Sequence, residues 1–173
     1  MSASGREEGQ RESTVIDSLE FARQQSRMAG QIQIARFERL SDVLFDRCGE
    51  LSFTLAGEWQ EEGKGKGFLN LQLDGDLLLK CQRCLEELAY PIHLSRTLAL
   101  VVSQGEWDDE ALEEEGYDEI PAEKELDLAG LLEDEILLAL PVAPSHADCT
   151  VPRFAGNDSN VLPFAALAKL KRN

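Results

Sequence analysis

The chain has 173 residues, 43% hydrophobic and 29% charged, with a net charge of −16. That length and composition suit one domain with a buried core plus tails, and the acidic balance argues against a chain-wide nucleic-acid surface, which would need Lys and Arg. No run of about eighteen apolar residues occurs, and the opening MSASGREEGQRES has no apolar h-region. Neither a membrane span nor a secretory signal is therefore expected, and the protein is predicted to be cytosolic, its four cysteines reduced or metal-bound.

Residues 1–13 read as a flexible tail and 14–173 as a single domain. Asp17 followed by Glu20 resembles a capping box ahead of a short helix over 18–28, with Gly30 as its terminator. QIQIARF at 31–37 suits a short strand with Ile32 and Ile34 inward. Leu51, Phe53, Leu55, Gly57 and Trp59 then alternate with mostly polar neighbours. Three glycines follow within 61–67, and the alternation resumes at Leu69, Leu71 and Leu73. This predicts a hairpin, with a kink at 74–76 before Leu77 and Leu79 lead into Cys81. From 88 to 102 one parity carries Leu88, Tyr90, Ile92, Leu94, Leu98, Leu100 and Val102, the clearest strand in the chain. Arg96 occupies the same parity, so it either marks a bend or reaches a buried acid.

The charge is unevenly sorted. Residues 105–125, GEWDDEALEEEGYDEIPAEKE, hold eleven acidic side chains and one lysine, so −10 of the −16 sits there. A solvated acidic loop is expected, ending in a short edge strand at 117–121. Two modest basic spots stand elsewhere: Arg23, Arg27, Arg36 and Arg39, and Lys169, Lys171 and Arg172. They soften the charge argument against nucleic-acid contact.

The longest apolar stretch is LDLAGLLEDEILLALPVAPSHADC, residues 126–149. Asp127 can cap a helix over 128–140, which must stop before Pro141. Leu128, Ala129, Leu131, Leu132, Ile136, Ala139 and Leu140 share one arc, while Gly130, Glu133 and Leu137 fall opposite. Glu135 projects inside the apolar arc, where a carboxylate needs a partner. It is either a structural acid paired with a cation, for which Arg96 is the candidate, or a functional acid with a raised pKa. Pro163 can open a last helix with Phe164, Leu167 and Leu170 on one face. The expected class is α+β: an antiparallel curved sheet or partial barrel packed against two C-terminal helices and a short N-terminal helix.

Cys81-Gln-Arg-Cys84 is the strongest short pattern, because two thiolates at this spacing can bind one metal from a tight turn. Zinc takes four ligands, and His146 with Cys149 can supply the second pair. A thioredoxin-like role is disfavoured, since the sequence after Cys84 turns quickly into strand alternation. No Gly-x-Ser-x-Gly occurs, and GKGKG lacks the Walker spacing, so no catalytic residue is assigned.

With CQRC at 81–84, LEDEILLALPVAPSHADC at 132–149 and PFAALAKLK at 163–171, the chain resembles the YceD family, the large ribosomal RNA subunit accumulation proteins of bacteria and plastids. The resemblance runs from about residue 15 to the C-terminus. It implies a non-enzymatic factor in synthesis, processing or stability of 23S rRNA, and so in large-subunit biogenesis. Many relatives carry additional cysteines after the helix, where this chain has His146 and Cys149. The expected partners are 23S rRNA or a pre-50S particle, reached either through the basic spots or by escorting a basic ribosomal protein with the acidic segment. The alternatives are a zinc-binding interaction module outside the ribosome and a thiol-dependent enzyme.

Overall fold

The computed structural model describes residues 15–61, 65–102 and 117–151. In chain order the elements are β1 (Val15–Ile16), α1 (Ser18–Arg23), β2 (Arg27–Gln33), two 3-10 turns (Ile34–Arg36 and Arg39–Asp42), β3 (Glu50–Gln60), β4 (Lys66–Lys80), β5 (Glu87–Val101), β6 (Asp118–Pro121), β7 (Leu126–Asp127) and α2 (Leu128–Ala139). Five strands make one sheet in the order β2-β3-β4-β5-β6, and the short β1 and β7 pair with each other. All neighbours in the large sheet are antiparallel except β6, which runs parallel to β5. The class is α+β, with a curved sheet that does not close into a barrel.

Alternation decides which face is core. Leu51 and Leu55 on β3, Leu69, Leu71, Leu73, Leu77 and Leu79 on β4, and Ile92, Leu94, Leu98 and Leu100 on β5 are buried together with Leu128, Leu131, Leu132 and Ile136 of α2. At ~1.5–3 kcal/mol for each fully buried aliphatic side chain, this layer dominates the fold's energetics. The opposite face exposes Ser52, Thr54, Gln72, His93 and Ser95.

Several boundaries differ from expectation. Asp17 does cap α1, accepting the Glu20 N–H at 2.9 Å, but the helix ends at Arg23 rather than near residue 28. Gln25 takes φ 49°, and the N–H groups of Gln25 and Ser26 donate to Ala22 O and Phe21 O, which closes the helix in a Schellman turn. The chain is therefore free to enter β2 at Arg27, earlier than the predicted 31. Gly30 then lies within a strand, where a Cβ would meet the Phe53 ring at 3.2 Å. Ile32 faces the core from β2, whereas Ile34 is buried from a 3-10 turn.

The predicted kink at 74–76 is a change of partners rather than a break. β4 runs through it, and its pairing with β3 stops at Asp74 opposite Ser52 while pairing with β5 continues to Lys80. At Gly75 a Cβ would meet Leu51 Cδ2 at 2.5 Å, so the missing side chain lets Leu51 pack against the strand backbone. α2 begins at Leu128 under an Asp127 cap and hands over to an extended Leu140 before Pro141. Glu133, predicted to face outward, is buried: the segment of the 3-10 turns covers the side of α2 that a sheet-only core would leave to solvent. The acidic residues 103–116, the tail 1–13 and the predicted helix from Pro163 lie outside the described residues.

Candidate metal centre

β4 and β5 are joined by the turn that carries Cys81-Gln82-Arg83-Cys84. The Cys81 N–H donates to Glu86 O and the Leu85 N–H to Cys81 O, both at 2.9 Å. Leu85 takes φ 66°, a left-handed conformation that a leucine adopts only when its surroundings impose it. On the other side, Pro141 ends α2 and the chain doubles back until Pro144 O accepts the Gln82 N–H at 2.8 Å. This places His146 and Cys149 over the Cys81–Cys84 turn.

The four side chains converge. Cys81 Sγ lies 3.7 Å from Cys149 Sγ, and Cys84 Sγ lies 3.4 Å from His146 Nδ1. All four candidate ligand atoms fall within 4.8 Å of one another. A tetrahedral zinc with Zn–S of about 2.3 Å and Zn–N of about 2.0 Å would separate its ligands by roughly 3.8 Å (S···S) and 3.5 Å (S···N), close to these two spacings. His146 supplies an independent test of fit. Its Nε2 sits 2.9 Å from the Glu87 carbonyl oxygen, which can only accept, so Nε2 carries the proton. A neutral ring held this way presents a lone pair on Nδ1 to the cluster, the arrangement a metal-binding histidine requires. The residues therefore fit a metal such as zinc.

Electrostatics support the same donor set. Burial pushes the Cys81 thiol up, but backbone N–H groups of Cys84, His146 and Arg83 and the Cys84 side chain outweigh it and bring Cys81 down to about 5. Cys149 is held above the ordinary thiol range by burial and by its Cys81 and Cys84 neighbours. Three thiol sulfurs this close repel once ionised, and a divalent cation would relieve that repulsion. Four protein ligands leave no open position, so such a centre would be structural rather than catalytic.

Among the described residues, the four candidate arginines sit in different settings. Arg23 stacks over the Trp59 ring at 4.9 Å from its centroid. Arg27 is exposed on β2 and lines a shallow depression with Thr54, Asn70 and Gln72 on the outer sheet face. Arg36 is exposed at the end of the first 3-10 turn. Arg39 is tied to α2: its Nε donates to Glu133 Oε2 at 2.9 Å and its Nη1 to Asp134 Oδ1 at 2.5 Å. Lys169, Lys171 and Arg172 lie outside the described residues. Glu135 is buried with Oε2 lacking any hydrogen bond, yet Arg96 Nε approaches that atom to 3.6 Å. Desolvation raises the Glu135 pKa, Arg96 lowers it, and Asp118 and Asp134 raise it further. Sequence reasoning missed Glu133, whose Oε1 accepts the N–H groups of Arg39 and Leu40. The helical wheel held its position but not the layer packed on that side.

The family model described as large ribosomal RNA subunit accumulation protein YceD matches residues 69–171, a span that includes the Cys81–Cys84 turn, α2, His146 and Cys149. The chain belongs to the YceD family. A YceD protein of Haemophilus influenzae, described as large ribosomal RNA subunit accumulation protein YceD, is 31% identical over 91% of this chain and 94% of its own length. No solved structure matches the chain. The YceD name points to accumulation of large-subunit ribosomal RNA. It names neither a binding partner nor a metal. Among the described residues no helix is long and apolar enough to cross a membrane.

Proposed function

We propose that this YceD protein promotes accumulation of 23S rRNA without catalysing a reaction, by holding a basic large-subunit ribosomal protein through its acidic surface, and that Cys81, Cys84, His146 and Cys149 bind one structural zinc. The observation that carries the partner choice is the fate of the arginines. Arg39 is paired with Glu133 and Asp134, and Arg23, still charged, lies over the Trp59 ring, on a chain whose net charge is −16. Contact with RNA phosphates needs several uncommitted cations on one surface, whereas an excess of carboxylates attracts basic partners and suits an escort role.

The test is salt-dependent binding of the purified protein to 23S fragments and, separately, to basic large-subunit proteins. Protein binding that weakens with salt and is lost on deleting residues 106–115 is expected. If that deletion leaves protein binding intact, the escort role fails. If RNA is bound instead and the charge reversals Arg27→Glu and Arg36→Glu abolish it, the rRNA is the direct ligand.

A further inference from the structure

Residues 141–151 are attached to the molecule in an unusual way. Among the described residues, the hydrogen bonds that tie them to other parts of the chain end within 81–87. Pro144 O accepts from Gln82, His146 Nε2 donates to Glu87 O, and Cys149 O accepts from Arg83 Nη1 at 3.5 Å. Apolar burial adds little: Pro144 is buried, but Val142 and Val151 are 104% and 64% exposed. The core closes without this segment, since α2 is anchored by Leu128, Leu131, Leu132 and Ile136.

We propose that the metal is a latch, which fastens residues 141–151 to the β4–β5 turn without being needed for the sheet and α2 to fold. The inference rests on the zinc reading of the Cys81, Cys84, His146 and Cys149 centre. With the cation in place, two ligands from the turn and two from the segment are joined through one atom. Without it, a few hydrogen bonds and one buried proline must offset the conformational entropy of the whole segment, and local opening follows.

The test is amide hydrogen exchange on the full-length zinc-loaded protein before and after chelation, with metal content measured on the same samples, and again after zinc is restored. Stripping is expected to speed exchange in 81–87 and 141–151 by roughly tenfold or more while β2–β5 and α2 peptides change by less than about twofold. Restored zinc should return the protection. Cys84→Ser should reproduce the stripped pattern, and the chelation arm decides the matter if that variant does not fold. Loss of protection throughout the sheet would overturn the latch by making the metal essential to the global fold. So would unchanged exchange in 141–151 after bound metal is removed. A protein that never takes up zinc would fail one step earlier, at the metal reading itself.

Discussion

Glu133 on α2 grips Arg39 twice from 94 residues away: its Oε1 accepts the Arg39 backbone N–H at 2.6 Å and its Oε2 accepts the Arg39 Nε–H at 2.9 Å. The 3-10 turn Arg39–Asp42 has no side-chain cap of its own from Glu38. Glu133 supplies that cap from across the core, because Oε1 also accepts the Leu40 N–H at 3.1 Å. Removing it leaves the Arg39 and Leu40 N–H donors without their acceptor, while the guanidinium keeps Asp134. Glu133→Ala should therefore destabilise the protein by about 2–4 kcal/mol, measured by urea unfolding. Arg39→Ala should cost less, because the backbone donors to Glu133 remain. Equal losses would mean that the side-chain ion pair, not the cap, carries the effect.

Glu135 predicts a pH dependence of the less common sign. Its folded pKa is raised, first by desolvation, with Arg96 opposing and Asp118 and Asp134 adding to the rise. Between its unfolded and folded pKa values the native state binds more protons than the unfolded state, so this group's contribution is present at low pH and is lost as pH rises through the folded value. Compared with Glu135→Gln across mildly acidic to neutral pH, the wild type should gain relative stability as pH falls. A relative loss on acidification would show that the Arg96 attraction dominates after all.

Much of this fold could be read from residues alone, and what could not has identifiable causes. Alternation located β3, β4 and β5, because over most of their length these strands have one buried and one exposed face, Phe68 and Ala99 being buried exceptions. Asp127 and Pro141 bounded α2, because a cap and a missing N–H act locally. The end of α1 was hidden: Gln25 takes the left-handed position that a glycine would have advertised. The burial of Glu133 was hidden as well, since a helical wheel cannot know that 3-10 turns pack on its second side. For the candidate metal centre, spacing named the four residues, and only the path of the chain through Pro144 could bring the two pairs into contact.

Gly57 on β3 lets α1 sit directly against the sheet. A Cβ there would meet Phe21 O at 2.4 Å and Ala22 Cα at 2.8 Å, and both are backbone atoms that cannot swing aside. The Gly57 N–H also donates to Ser26 O at 2.8 Å, which pins the end of the α1 turn to the strand. Gly57→Ala must then push α1 off the sheet or distort β3, at a cost of about 1–3 kcal/mol. Thermal unfolding would register the loss. An unchanged melting temperature would mean that α1 is not seated on Gly57 as described.

Cobalt(II) in place of zinc gives the ligand set a direct readout. A tetrahedral site with three thiolates and one imidazole should produce intense visible ligand-field bands and thiolate-to-cobalt charge transfer, with about one metal per chain. Cys84→Ser and His146→Ala should each weaken the bands and lower the stoichiometry, since every ligand of a closed four-coordinate site counts. Cys48→Ser is the control. Cys48 is exposed and lies beside Asp46, which accepts its backbone N–H at 2.9 Å, and it is not part of the four-residue cluster. A spectrum unaffected by Cys84→Ser, or one lost with Cys48→Ser, would place the metal elsewhere.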